Sequence, residues 1–233
     1  MEVKIVGGVP APGTTGTPGI EQIVDGTFGA SRVTLRPLDY QTGGQVLGHY
    51  RVASLTGLTT SIAAGGAIFS FRFAPGTSNF AVVKRISVAA VITTAFTAGQ
   101  PVDADVVIVR AFTASDSGGT ALAPLGSSNK LRTSMGNSLI SDVRIATTAA
   151  LGAGTGAADA AAFGIGVASQ TNAVGTGGGV NGSGDLYSLN MNAAHPIVLQ
   201  NNEGFRVRVV TAQGATGVVK YYIAAEWAEV VGY

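Results

Sequence analysis

The chain alternates between apolar and polar positions over most of its length. In AIFSFRF, Phe69, Phe71 and Phe73 fall on one face and Ser70 and Arg72 on the other. That two-residue period marks a half-buried β-strand. In NFAVVKRISVAAVITTAFT, Phe80, Val82, Ile86, Val88 and Ile92 share a face, with Lys84 set among them near the start. PVDADVVIVRAFT groups Val102, Val106, Ile108 and Phe112, places Asp103 and Asp105 opposite, and is preceded by a turn at TAGQP. HPIVLQNNEGFRVRVV predicts a strand, a polar turn at Gln200 to Gly204, and a second strand in which Phe205, Val207 and Val209 oppose Arg206 and Arg208. After a turn at AQGATG, the last run puts Val219, Tyr221, Ile223, Ala225 and Trp227 on one face. Lys220, Tyr222 and Glu226 lie on the other. This register predicts that Trp227 is a core residue. RVTLRPL, from Arg32, alternates as well.

Helix signals are thin. ADAAAFG at 158–164 is the best candidate, and it is too short to stand alone. Residues 149–184 carry 11 Gly and a single charge, Asp159, and read as a long irregular insertion that is mobile in the isolated protein. The segment GGVPAPGTTGTPG at 7–19 holds five Gly and three Pro in thirteen positions, which removes ladder donors and disfavours any local element. The expectation is an all-β, antiparallel, jelly-roll-like β-sandwich with an extended N-terminal arm and a long Gly/Ala-rich loop. The organisation expected is an arm and tether over 1–45, then a single domain over 46–233 with its insertion at 149–184.

Composition narrows the function. Only 12% of the 233 residues are charged, the net charge is +1, and there are 2 His and no Cys. A disulfide framework or thiolate metal site is excluded, and no cationic excess exists to neutralise nucleic-acid phosphates. A near-zero net charge does little to keep copies apart. Val52 to Phe71 and 160–184 are uncharged but rich in Gly and hydroxyl residues, so neither reads as a membrane span, and no signal peptide is expected.

The chemical motifs are weak. Ser115-Asp116-Ser117-Gly118-Gly119 resembles the nucleophile loop of trypsin-like serine proteases. His195 follows it where those enzymes have the His first, and His49 lacks matching surroundings. The same residues are turn chemistry after a strand. GGGVNG at 177–182 fits G-x-G-x-x-G, but in a flexible loop with no helix after it. Asp103 and Asp105, about 7 Å apart on one strand face, form either a solvated face or half of a Ca²⁺ site. His49 and His195 read as surface or interface residues. No catalytic residue, cofactor or metal is assigned.

As a whole the chain resembles virion structural proteins of tailed bacteriophages. The resemblance lies in the Gly/Pro-rich arm, the Ala/Gly/Thr-rich β body, and the segments VVKRISVAAVITTAFTAGQPVDADVVIVRAFTASDSGG and HPIVLQNNEGFRVRVVTAQGATGVVKYYIAAEWAEV. It covers most of residues 45–233 and implies a non-enzymatic protein that binds and stabilises a capsid lattice as cement, decoration or minor capsid component. The implied place is the capsid surface of a virion, after synthesis in the host cytoplasm. The implied partners are the major capsid protein or other virion proteins and further copies of the chain, a homotrimer being favoured, with no nucleic acid and no membrane. The assembly-arm residues would be Val3, Ile5, Val6, Val9, Ile20, Ile23 and Val24, docking in apolar grooves or on a sheet edge of a neighbour. The alternatives are a tail or head-fibre protein for host attachment, and a β-sandwich hydrolase.

Overall fold

The computed structural model describes residues 46–122, 129–169, 177–179, 184–189 and 196–232. The arm residues, the strand expected from Arg32 and His195 lie outside these residues. Among the described residues thirteen strands follow in order: β1 (Val46–Leu55), β2 (Ala67–Phe73), β3 (Phe80–Thr94), β4 (Val102–Arg110), β5 (Thr120–Leu122), β6 (Asp142–Ile145) and β7 (Ala157–Ala158). Then come β8 (Gly164–Ser169), β9 (Gly177–Gly179), β10 (Asp185–Ser188), β11 (Ile197–Leu199), β12 (Glu203–Val209) and β13 (Val218–Val230).

They form two antiparallel sheets. The first runs β1-β13-β3-β10, with β9 and β11 also on β3; the second runs β5-β6-β2-β12-β4-β7, with β8 also on β4. The chain switches sheets at each step from β1 to β4 and again from β11 through β12 to β13, while β4 to β8 stay in the second sheet and β9 to β11 in the first. Counting only the eight central strands β1, β2, β3, β4, β8, β10, β12 and β13 in chain order, one layer (β1-β13-β3-β10) reads first-eighth-third-sixth and the other (β2-β12-β4-β8) second-seventh-fourth-fifth. That is the order of two interlocked Greek keys, a jelly roll.

Aromatic side chains join the layers. Tyr50 and Trp227 of the first sheet stack with centroids 5.7 Å apart, and Phe71 of the second meets Trp227 edge-on at 5.0 Å. Phe205 stacks on Phe71 at 4.8 Å. These geometries are the ones the aromatic quadrupole favours.

The register of β3 departs from the expected alternation. Glu226 of β13 opposes Arg85 while its neighbour Trp227 opposes Val83, so Lys84 is an extra residue. The bulge reverses the parity: Ala81 and Val83 join Ile86, Val88, Ala90 and Ile92 in the core, whereas Val82 is buried outside that cluster. The lone Lys84 on an otherwise apolar face was the trace of this bulge in the sequence.

The expected insertion is also corrected. It is not wholly irregular: β8 pairs with β4 of the second sheet and β9 with β3 of the first. No α-helix forms among the described residues, and 158–164 instead leads into β8. Gly164 is required there, because a methyl at its Cβ position would overlap the carbonyl oxygen of Leu186.

Candidate functional site

The centre of the second sheet is covered on both faces. Eight of the nine residues of β4 are buried, alternate positions included. The polar members of that outer face are consumed by fixed partners. Arg208, directly opposite Asp105, donates Nε and Nη2 to its two oxygens at 3.0 and 2.6 Å. Asp103 accepts from the Thr211 amide and hydroxyl, both at 2.7 Å. Asp103 and Asp105 are therefore not a solvated face, since they are only 8% and 6% exposed and are engaged by Thr211 and Arg208, and no cluster of three or more His, Asp or Glu that could hold a metal lies among the described residues. Sequence alternation identified the face correctly but could not reveal the layer above it.

That layer includes the protease-like loop. Ala111 has φ 50° and turns the chain off β4, so Phe112 leaves the inter-sheet core and packs under the Arg206 guanidinium, 5.0 Å from its ring centre. Asp116 is buried and accepts two bonds from Arg206, at 2.7 and 2.5 Å, and one from the Gly154 amide at 2.6 Å. Burial pushes its carboxyl up, but Arg206, the Gly154 amide and Ser70 outweigh it, so its pKa lies below the ordinary value. Ser117 exchanges two backbone bonds with Gly152, at 2.8 and 3.0 Å. The loop thus clips the Gly/Ala-rich segment to the sheet. His49, expected at the surface or an interface, is buried in β1 within the chain itself. Of GGGVNG, Gly177–Gly179 form β9 rather than part of a loop, and 180–182 lie outside the described residues.

A buried carboxylate escaped the sequence reading. Glu229 is 0% exposed and accepts from Ser138 Oγ at 2.5 Å, the Leu139 amide at 2.8 Å and Trp227 Nε1 at 3.0 Å. Burial raises its pKa above the ordinary carboxylate value, opposed by these three donors. Burial, reinforced by the Glu229 charge, pushes the Tyr50 phenol up to about 12, and its hydroxyl donates to the Gly136 carbonyl at 3.0 Å. The cluster ties the 135–140 segment to β1 and β13. The available signal was a Glu two residues after Trp227, among apolar neighbours near the end of a strand.

The outer face of the first sheet is different, because much of it is open. Arg51, Ala53 and Leu55 of β1, Lys220, Tyr222, Ala224 and Glu226 of β13, and Arg85, Ser87, Ala89 and Val91 of β3 are half-buried or exposed. Leu55 and Tyr222 stand out at 46% and 44% exposure. Beside them lies a shallow open trough of about 420 Å³, with Ala53, Ser87, Ala89 and Ala224 among its lining residues. Two ion pairs border it, Arg51 to Glu226 at 3.3 Å and Arg85 to Asp185 at 2.5 Å.

No family model matches the chain, and neither a curated protein nor a solved structure does.

Proposed function

We propose that the protein is a non-enzymatic structural component of a bacteriophage virion, binding the capsid lattice as a cement, decoration or minor capsid protein. The observation that carries this reading is the asymmetry of the sandwich. Over β4 and β12 the outer face of the second sheet is covered by its own chain, with Arg206 and Arg208 locked to Asp116 and Asp105, while the marginal strands carry exposure, as at Ile165 of β8. The first sheet instead presents Leu55 and Tyr222 over a floor of small residues. An exposed apolar patch rimmed by charge on a stiff scaffold is a contact surface. The low overall charge suits a molecule that spends its working life against neighbours. Each buried acid that could serve hydrolytic chemistry is held by structural donors, which favours the assembly reading over a hydrolase.

The reading is tested in the parent phage by removing the protein and heating the particles. Genome release at lower temperature than from complete particles is the expected result. Unchanged particle stability together with loss of host adsorption would move the protein to the fibre class.

A further inference from the structure

The open face of the first sheet carries a pattern that is complementary to itself. Its outward side chains fall into cross-strand rows set by the register. Arg51, Glu226 and Arg85 form one row; Ala53, Ala224 and Ser87 the next; Leu55, Tyr222 and Ala89 the third; and Lys220 and Val91 the fourth. Along β13 the order is therefore cation, bulky, small, anion: Lys220, Tyr222, Ala224, Glu226.

Consider a second copy turned by half a revolution about an axis lying in this face and running across the strands. β13 then lies over β13 in the opposite direction. Glu226 faces the partner's Lys220, and Lys220 faces the partner's Glu226. Tyr222 faces the partner's Ala224, where the trough between Ala53, Ala224 and Ser87 gives the ring room. The bulky row meets the small row, and Glu226 and Lys220 each meet their opposite, twice over, as an isologous contact demands; Arg51 and Arg85, which flank Glu226, are paired within their own copy, with Glu226 and Asp185. The same half-turn about an axis parallel to the strands would instead oppose Glu226 to the partner's Glu226 and Tyr222 to the partner's Tyr222.

We propose that this face is a two-fold contact between copies of the chain, with Tyr222 as the knob, the Ala53–Ala224–Ser87 row as the socket and Glu226–Lys220 as the register lock. It deepens the assembly reading and rests on it only in taking the open face as a contact surface. Three strands about 4.8 Å apart and four rows about 7 Å apart give a footprint of roughly 400 Å². A stable interface takes about 800 Å² per partner. The pairing is therefore reversible in free solution and strengthened when many copies are held in one array.

The test is sedimentation velocity on the full chain, without particles, from low micromolar to millimolar concentration. A monomer–dimer equilibrium is expected. Ala224→Arg, which fills the socket, and Lys220→Glu, which opposes two anions, should each weaken it by about tenfold or more. Adding Glu226→Lys to Lys220→Glu should restore most of the loss, an outcome that mere damage to the fold would not give. Melting temperatures of the variants check that the fold is intact. A wild-type chain that stays monomeric throughout, a trimer indifferent to these substitutions, or a double variant no tighter than the single one would overturn the proposal. Because no particle is present, any of these results leaves the capsid reading to its own test.

Discussion

Trp227 is the largest fully buried side chain, and it touches both layers through Tyr50 and Phe71 while its indole donates to Glu229. Removing it empties the middle of the core and takes one donor from a buried carboxylate. Trp227→Ala should therefore cost about 3–5 kcal/mol, read by denaturant unfolding; an unchanged midpoint would refute its place between the sheets. Glu229 predicts a pH effect of definite sign. Its folded pKa is raised above the unfolded value, so its contribution is fully present below the unfolded pKa and is lost as pH rises through the folded one. Asp116, with its pKa lowered, acts in the opposite sense and loses its contribution as pH falls. Glu229→Gln should flatten the part of the stability profile that declines from acid toward neutral pH, and leave the acid limb set by Asp116 in place. Thermal melts across that range check this; a variant whose profile parallels the wild type would show that Glu229 does not titrate there.

At the scale of elements, β2, β3, β4, β11, β12 and β13 were legible because a strand with one face in the core writes its burial in the sequence with period two, whereas β1 and the other short strands were not read. The run from Val219 to Trp227 is the clearest case, and Phe69, Phe71 and Phe73 show the same period although Ile68 and Ser70 between and beside them are buried too. Three kinds of information were not written that way. The Lys84 bulge changes parity within one strand, and only the partner strand fixes where. The polar face of β4 looks solvated until the chain folds back across it, and that cover comes from residues 40 or more positions away as well as from the adjoining turn. β8 is read poorly because Gly164, Ile165 and Gly166 carry little periodic contrast; its order comes from pairing with β4. The expectation of a mobile insertion changes accordingly. The amides of β8 that bond to β4 should be protected in the free protein, with exchange slower than in solvent-exposed turns. Hydrogen exchange with peptide-level readout decides it, and exchange of these amides at the rate of an unstructured peptide would contradict the pairing.

At the scale of the whole molecule, a jelly roll with one sheet covered over its centre and the other open is proposed to stand in an array. The candidate surface was half legible: Lys220, Tyr222 and Glu226 were placed on the outward face by alternation alone. Their companions Ala53, Leu55, Ser87 and Ala89 come from other strands, and only the sheet order assembles them. The Gly- and Pro-rich residues 1–30 are proposed to work in attachment, so a chain lacking them should melt nearly as the full chain does and occupy particles less. Failure of that truncated chain to fold would place the segment in the core instead. The central claim is attachment to a capsid lattice, and occupancy measures it most directly. Full-length protein is mixed with parent-phage particles assembled without it, the particles are sedimented, and the bound protein is counted per capsid subunit. The account predicts saturable binding at a fixed ratio set by the lattice symmetry; protein that stays in the supernatant at every concentration would contradict it.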